Sequence, residues 1–233
     1  MLQYTLLNAT QRHKRIIMNL LNATSLAHSF ETTLYENLSL SANAEESIAI
    51  LGVSGSGKST ILNNLSTLLP PKAGKVSLLG IEDIYAIPAK KQLLLRRLEL
   101  GIVFQSHYLF RGFSGVENLK VASILSQQSI DENLLEAFDI ASVVHQPIGQ
   151  LSGGQQQRLS IARVLTKKPK IIFADEPTGN LDKQTALRVM EILFSYIRTN
   201  GAALILATHD EEIARLCSKT YRLYDKVLHS VSA

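Results

Sequence analysis

The chain has 233 residues, of which 45% are apolar, and a formal net charge of +4. This composition excludes a disordered or collagen-like chain, and the length suits one α/β domain with room for an inserted subdomain. No apolar run approaches the ~18 residues of a membrane-spanning helix, and the modest charge, without interleaved aromatic residues, gives no indication of nucleic-acid binding.

The first 17 residues are predicted to be an extension that the fold does not need. The sequence Leu-Leu-Asn-Ala-Thr occurs at residues 6–10 and again at 20–24, and Met18 lies just before the second copy. A translation start assigned too early and a genuine N-terminal arm both explain this repetition. We expect no export signal, because the chain does not begin with a charged leader followed by an apolar stretch and a cleavage site. The only cysteine, Cys217, excludes an internal disulfide and fits a reducing cytoplasm.

Strands and helices alternate in the first half of the chain. The predicted elements are an antiparallel β region at 22–40, a strand at 48–51, a helix at 58–68, a strand at 76–79, an amphipathic helix at 90–98 and a strand at 101–104. We expect Pro70 and Pro71 to end the first helix, because proline cannot donate the backbone bond that a helix interior needs.

The second half contains a block of helices before strands resume. The predicted elements are helices at 115–127, 131–141 and 155–168, a strand at 170–174, a helix at 184–197, a strand at 203–207 and a helix from about residue 210 that carries Cys217 as a small buried residue. Asp131 is a favourable N-cap for its helix. This order implies a mainly parallel sheet in a single domain at 18–233, with a helical subdomain inserted at about 107–160.

A phosphate-binding loop is predicted between the strand at 48–51 and the helix that follows it. Residues 52–59 match the pattern G-x-x-x-x-G-K-[ST], in which backbone N–H groups and the positive end of a helix face phosphate oxygens. Lys58 is predicted to bind the β- and γ-phosphates, and the Ser59 hydroxyl to ligate Mg²⁺. The full predicted set is Gly52, Ser54, Gly55, Ser56, Gly57, Lys58, Ser59 and Thr60.

Two carboxylates follow the apolar strand at 170–174. The carboxyl end of a parallel strand lies at the sheet edge where α/β proteins bind ligands, so Asp175 and Glu176 are expected beside the phosphate loop. We predict that Asp175 holds Mg²⁺ through water and that Glu176 polarises the attacking water.

A second anion-binding helix start is predicted at residues 152–155. Ser152, Gly153, Gly154 and Gln155 open a helix, and exposed amides at such a start attract anions. Taken alone, this pattern is more typical of an ordinary N-cap.

In this order, the motifs from Gly52 to His209 resemble those of the ATP-binding-cassette (ABC) family, and the resemblance covers residues 20–228. It implies a RecA-like P-loop NTPase core with an antiparallel β subdomain and an inserted α-helical subdomain. It also implies an ATPase that works as a homodimer, in which Ser152 to Gln155 of one subunit close on the ATP held by the other.

The resemblance assigns roles to four further residues. Gln105 is similar to the glutamine that touches Mg²⁺ or water, and His209 to the histidine on the γ-phosphate. With Glu176 and Lys58 they form the predicted catalytic set. Asp182 matches the loop that crosses the dimer interface. Phe30 matches the aromatic residue that stacks on adenine, with Tyr35 as the alternative and core packing as another explanation for either.

Residues 175–182 are similar to the LolD, MacB and FtsE subgroup of the family. This similarity implies a separate transmembrane permease subunit at the cytoplasmic face of the inner membrane, and either lipoprotein release or MacB-like export. An FtsE-like ATPase that signals to a membrane partner without transport is the alternative. We expect the contact with the partner at residues 105–115. Glu45 and Lys226 depart from the family pattern, which has glycine in both turns.

Overall fold

The computed structural model describes residues 18–231. The predicted extension at 1–17, with the first copy of the repeated pentapeptide, lies outside the described residues. Within the described range, no helix is long and apolar enough to cross a membrane.

Two sheets and seven α-helices make up the described part of the chain. The strands are β1 Asn19–Ser29, β2 Thr33–Asn43, β3 Ser47–Leu51, β4 Ala73–Leu78, β5 Leu100–Val103, β6 Ile171–Asp175, β7 Ala203–Thr208, β8 Lys219–Tyr224 and β9 Val227–Val231. The helices are α1 Lys58–Leu65, α2 Ala89–Leu98, α3 Gly115–Ser126, α4 Glu132–Ala137, α5 Gly153–Thr166, α6 Lys183–Asn200 and α7 Glu211–Arg215.

The central sheet has the strand order β5-β6-β7-β3-β8-β9, and all neighbours are parallel except β8 and β9. Ala207 of β7 pairs with Ile50 of β3 on one side and with Asp175 of β6 on the other. The carboxyl ends of these three strands therefore meet at one edge of the sheet. The loops that follow them carry the predicted phosphate site, carboxylates and histidine.

Both faces of the central sheet are buried. Ile171 and Phe173 of β6 pack into one core with the antiparallel sheet β2-β1-β4 and α1, whereas Ile172 and Ala174 pack into a second core with α3, α5 and α6. Successive strand residues point to opposite faces, so a sheet covered on both sides needs an unbroken apolar run. This explains why the strands of the central sheet are predicted from continuous apolar runs rather than from alternating apolar and polar residues.

Two predicted helices are shorter in the structure, and left-handed residues end both. The first ends at Leu65 rather than at residue 68, so the prediction that Pro70 and Pro71 end it is wrong: Thr67 has a φ of 68° and already turns the chain. The helix predicted at 131–141 ends at Ala137, because Asp139 has a φ of 52°. A residue with positive φ cannot continue a right-handed helix.

The two departures from the glycine pattern both lie in the left-handed region. Glu45, just before β3, has a φ of 69°. Asp225 and Lys226 form the two-residue connection of the β8–β9 hairpin and have φ values of 46° and 64°. Positive φ at both central residues is the geometry that favours Asp-Gly in such hairpins.

Cys217 lies two residues beyond the end of α7, which corrects the expectation that it sits within that helix. It is half-buried and packs against a small cluster of Ala49, Leu51 and Ala214 and against the second core. Burial raises the pKa of its thiol to about 11, although a hydrogen bond with Ser47 opposes the shift.

Candidate functional site

The loop between β3 and α1 contains glycines that allow its backbone to turn tightly. Gly55 and Gly57 have φ values of 77° and 107°, and α1 begins at the next residue, Lys58. A Cβ on Gly52 would lie 2.7 Å from the Ser56 hydroxyl. These glycines therefore permit the tight curl that aims successive backbone amides into the loop.

Lys58 reaches back across this loop. Its ammonium group donates to the carbonyl oxygens of Gly52 at 2.7 Å and Val53 at 3.0 Å, and only 6% of the residue is exposed. The cation is thus held at the start of α1, where the helix dipole adds to its positive potential.

Of the two aromatic candidates for the base site, only Phe30 lines the cleft at the loop. A cleft of about 290 Å³ is lined by Phe30, Leu34, Gly55, Gly57, Lys58, Ser59 and Thr60. Phe30 is 65% exposed, whereas Tyr35 is fully buried and its hydroxyl donates to the Asn64 side chain. His28 supports Phe30 from the side, with the two rings edge to face at 4.9 Å.

Asp175, the last residue of β6, forms a hydrogen bond with Ser59. Burial raises the pKa of Asp175, and neighbouring Glu176 adds to the effect, while the Ser59 hydrogen bond and Lys58 oppose it. A carboxylate and a hydroxyl in contact form an oxygen donor set suited to Mg²⁺. Within residues 18–231 no group of three or more His, Cys, Asp or Glu side chains is placed to hold a metal ion.

The Glu176 carboxylate is held by residues from the end of β7. Its Oε1 lies 2.8 Å from Nδ1 of His209, and its Oε2 accepts a hydrogen bond from the Thr208 hydroxyl at 3.1 Å. The backbone of Glu176 has a φ of 46° and donates to the Ala207 carbonyl at 2.9 Å. A non-glycine residue in this conformation costs about 1 kcal/mol, so the surrounding contacts must fix it.

His209 joins this group from the exposed side. Its side chain is 69% exposed, and its other ring nitrogen remains open to solvent or to a ligand. Asp210, the next residue, accepts from the amides of Glu212 and Ile213 and so caps α7. The structure therefore brings Lys58, Asp175, Glu176 and His209 to the same end of the sheet.

The predicted second anion site lies at the start of α5. Ser152 accepts from the Gln155 amide at 3.2 Å, and the Gln155 side chain accepts from the Ser152 amide at 2.8 Å. Ser152 and Gly153 are exposed, and a Cβ on Gly154 would lie 3.3 Å from Leu181. None of residues 152–155 lines the cleft at Lys58.

Asp182 caps α6. Its carboxylate accepts from the amide of Thr185 at 2.9 Å and from the Thr185 hydroxyl at 2.6 Å. These hydrogen bonds lower the pKa of Asp182. The side chain is exposed, on the same segment as Leu181, which packs beside Gly154.

Gln105 follows β5 and is exposed at the start of a loop, residues 106–113, that returns to α3. Tyr108, Phe110 and Phe113 of this loop are 64%, 48% and 42% exposed, whereas Leu109 packs inward. Of the four apolar side chains in this loop, three therefore face solvent and one packs against the core.

Three residues that contribute to the site were not singled out in the sequence. Thr208 orients Glu176, His28 supports Phe30, and Arg163 of α5 contacts the loop at 106–113. Only Thr208 carried a usable signal, because it ends a buried strand at the same sheet edge as Asp175.

The fold and the site together define a P-loop ATPase. The protein-family model described as ABC transporter matches residues 35–179. The chain belongs to the ABC transporter family of ATP-binding proteins, and it is an ATPase of that family.

Two relatives and one solved structure illustrate the similarity. The chain is 36% identical over 211 residues to the lipoprotein-releasing system ATP-binding protein LolD of Protochlamydia amoebophila, covering 87% of this chain and 91% of the relative. It is 37% identical over 199 residues to the uncharacterized ABC transporter ATP-binding protein YbbA of Escherichia coli, covering 83% and 87%. The dimeric post-hydrolysis structure of the ATP-binding cassette MJ0796 with ADP and Pi superimposes with a TM-score of 0.82 at 28% identity, covering 90% and 96%.

Proposed function

We propose that this ATPase hydrolyses ATP at the sheet edge where Lys58, Asp175, Glu176 and His209 meet. The observation that carries this proposal is the position of the Glu176 carboxylate beside the phosphate loop. Its oxygens lie 3.1 Å from the Thr208 hydroxyl and 2.8 Å from Nδ1 of His209. Lys58 binds the β- and γ-phosphates as a point charge, and the amides of residues 52–60 surround the remaining oxygens. Glu176 orients and polarises the attacking water, and His209 contacts the γ-phosphate.

Mg²⁺ bound with ATP neutralises charge on the phosphate oxygens. Ser59 would hold the ion directly, and Asp175 through water. Gln105 would contact the same ion or the attacking water. Phe30 stacks on the adenine ring, because it is the exposed aromatic side chain that lines the cleft next to the loop.

The active unit in this proposal is a homodimer with ATP at the interface. Ser152, Gly153, Gly154 and Gln155 present an exposed helix start that does not line the chain's own phosphate cleft, so a second copy supplies the phosphate that they bind. The dimeric MJ0796 cassette supports this assembly. Asp182 and its segment lie beside Gly154 and would contribute to the same interface.

The dimer drives a separate transmembrane permease subunit at the cytoplasmic face of the inner membrane. The names of the LolD relatives support a lipoprotein-release type of transporter. The exposed Tyr108, Phe110 and Phe113, in the loop next to Gln105, supply an apolar surface for the permease. Residues 107–160 act as a helical subdomain within a single ATPase domain at 18–233, which residues 1–17 precede as an extension.

The substitution Glu176→Gln tests the ATPase mechanism and the dimer together. It keeps size and hydrogen-bonding capacity but removes the charge that activates water, so the variant should bind MgATP, fail to hydrolyse it and accumulate as a dimer in light scattering. Glu191→Gln, at an exposed position of α6, is the control and should hydrolyse ATP normally. A Glu176→Gln protein that binds ATP but stays monomeric refutes the two-subunit site, and rapid hydrolysis refutes the role of Glu176.

A further inference from the structure

Arg163 is a charged side chain that neither the phosphate site nor the predicted interface uses. It lies on α5, eleven residues after Ser152, and is half-buried. Among residues 18–231, no carboxylate forms an ion pair with it. A desolvated guanidinium group without a counter-ion must be satisfied by neutral acceptors, which makes the identity of those acceptors informative.

The acceptors are mainly backbone carbonyls of the loop after Gln105. One terminal nitrogen of Arg163 donates to the His107 carbonyl at 3.1 Å, and the other donates to the Tyr108 carbonyl at 2.9 Å. The guanidinium carbon also lies 5.9 Å from the centre of the Phe110 ring. The planar group thus holds two successive carbonyls with two separate nitrogens in one fixed plane, a geometry that an ammonium group does not share.

The loop needs this support because its backbone is strained. His107 and Tyr108 have φ values of 59° and 45°, each of which costs about 1 kcal/mol for a non-glycine residue. Asn118 of α3 provides a second clamp: it accepts from the Phe110 amide at 2.9 Å and donates to the Phe110 carbonyl at 3.2 Å. The shape of the loop therefore depends on side chains from α3 and α5.

The same arginine is linked to the proposed dimer interface through one rigid element. Eleven helical residues separate Ser152 from Arg163, which corresponds to a distance of roughly 16 Å along α5. A second contact runs in parallel, since Nε2 of His107 lies 3.4 Å from the Asn180 side chain, next to the segment that packs on Gly154. If the start of α5 moves, the helix therefore moves Arg163 with it, and Arg163 in turn moves residues 107 and 108.

We propose that Arg163 is a positioning residue that makes the loop at 106–113 follow the movement of α5. The inference rests on the proposed function, because the movement begins when Ser152 docks on the ATP held by a second copy. As α5 shifts, the guanidinium group carries the His107 and Tyr108 carbonyls with it. Gln105 then changes its distance from Asp175, and the exposed aromatic residues change the surface they offer to the permease.

Hydrogen exchange of the amides at 106–113, with and without MgATP, tests this role in the Glu176→Gln protein. In the parent, MgATP should change the exchange rate of these amides at least ~threefold. After Arg163→Lys, the change caused by MgATP should be less than about a third as large. Lysine keeps the charge but lacks the rigid pair of nitrogens that fixes both carbonyls in one plane. Dimer formation by light scattering should be retained. Arg198→Lys, on an exposed position of α6, should behave like the parent.

Hydrolysis in the chain with Glu176 intact gives a second measure. Arg163→Lys should lower kcat about tenfold while KM for ATP stays within about twofold, because the phosphate loop is untouched. A purely structural role would lower the unfolding temperature without this selective loss. Arg163→Gln, which can still donate to one carbonyl, replaces the lysine variant if that variant does not fold.

The outcomes separate the inference from the function on which it rests. A Glu176→Gln parent that does not dimerise overturns the two-subunit function and this inference together. A dimer in which Arg163→Lys leaves the MgATP response of the loop unchanged overturns the inference alone. Digestion with trypsin tests the movement of the loop without a substitution at Arg163. Trypsin cleaves after arginine, and Arg111 is exposed in the same loop. If dimerisation leaves the rate of cleavage at Arg111 unchanged, the loop does not follow α5.

Discussion

At the scale of single residues, the site depends on charged side chains that other groups of the chain hold in place. Lys58 donates to the carbonyls of Gly52 and Val53, and Glu176 is held by Thr208 and His209. These contacts place the positive and negative groups before any ligand arrives, so little reorganisation is needed at the moment of reaction.

Lys58→Ala should abolish ATP binding while leaving the fold intact. Losing a charge-assisted contact with phosphate costs about 3 kcal/mol, which predicts a fall in affinity of at least ~100-fold. Fluorescent-nucleotide titration measures the binding, and circular dichroism checks the fold. Thr60→Ala, at the edge of the same cleft but without a charge, is the control and should lose far less affinity. Near-normal ATPase activity in a folded Lys58→Ala protein would remove Lys58 from the phosphate site.

At the scale of secondary structure, contacts in the turns and at the strand ends fix features that the hydrophobic pattern of the sequence does not predict. Glu46, at the start of β3, joins the turn after β2 to β8: it accepts from the amide of Asn43 at 3.0 Å and pairs with Lys219 at 2.7 Å. Burial of Glu46 acts to raise its pKa, but the hydrogen bonds from Lys219 and Asn43 outweigh it, and the net pKa is lowered.

The Glu46 contacts predict a stability that depends on pH. Because the folded pKa lies below the unfolded value of about 4.5, the contribution is present above pH 4.5 and is lost as the pH falls through the folded pKa. Glu46→Gln should lower the free energy of unfolding by about 1 kcal/mol at pH 7. Urea denaturation should show that this difference shrinks below pH 4.5. Exposed Glu36→Gln is the control, and a difference independent of pH would contradict the assignment.

The β8–β9 hairpin predicts a stabilising change. Lys226 has a φ of 64°, so Lys226→Gly relieves about 1 kcal/mol of backbone strain, and the added freedom of the unfolded chain offsets part of it. We expect a net gain of about 0.5 kcal/mol in urea denaturation. Lys226→Val should instead destabilise, because a β-branched residue tolerates positive φ poorly. Destabilisation by glycine would show that the Lys226 side chain makes an unrecognised contribution.

The turns also show where the sequence was sufficient and where it was not. The strand at 48–51 and the loop at 52–59 were predictable because apolar runs and glycines report directly on a buried strand and a tight curl. The ends of the first helix and of the helix from Asp131 were not, because Thr67 and Asp139 adopt positive φ without being glycine. The Arg163 contacts left no pattern either, since backbone carbonyls are present in every sequence.

At the scale of the whole molecule, two anion-binding helix starts face different surroundings. The start of α1 lines the cleft with Phe30, whereas the start of α5 is exposed beside Leu181. The loop with the exposed Phe110 and Phe113 follows β5 at one edge of the central sheet, while the β8–β9 hairpin forms the other edge. The proposed function therefore assigns the nucleotide, the second copy and the permease to three different surfaces.

Cysteine cross-linking tests the permease surface. With the permease co-purified from membranes, Phe110→Cys should form a disulfide with a cysteine placed in its cytoplasmic loops, because Phe110 is exposed next to Gln105. Tyr224→Cys is the control: it lies near the opposite sheet edge, is more exposed than Phe110 at 65%, and should not cross-link. Cross-links at Tyr224 but consistently none at Phe110 would move the permease contact away from residues 105–115.

The position of Cys217 has a practical consequence for fluorescence work. With a thiol pKa of about 11, only roughly one molecule in three thousand carries the thiolate at pH 7.5, whereas an introduced surface cysteine is about one tenth ionised. Maleimide dyes react with the thiolate, so the native background should remain nearly unlabelled. A donor and an acceptor attached to two copies would then report subunit closure in real time without removal of the natural cysteine.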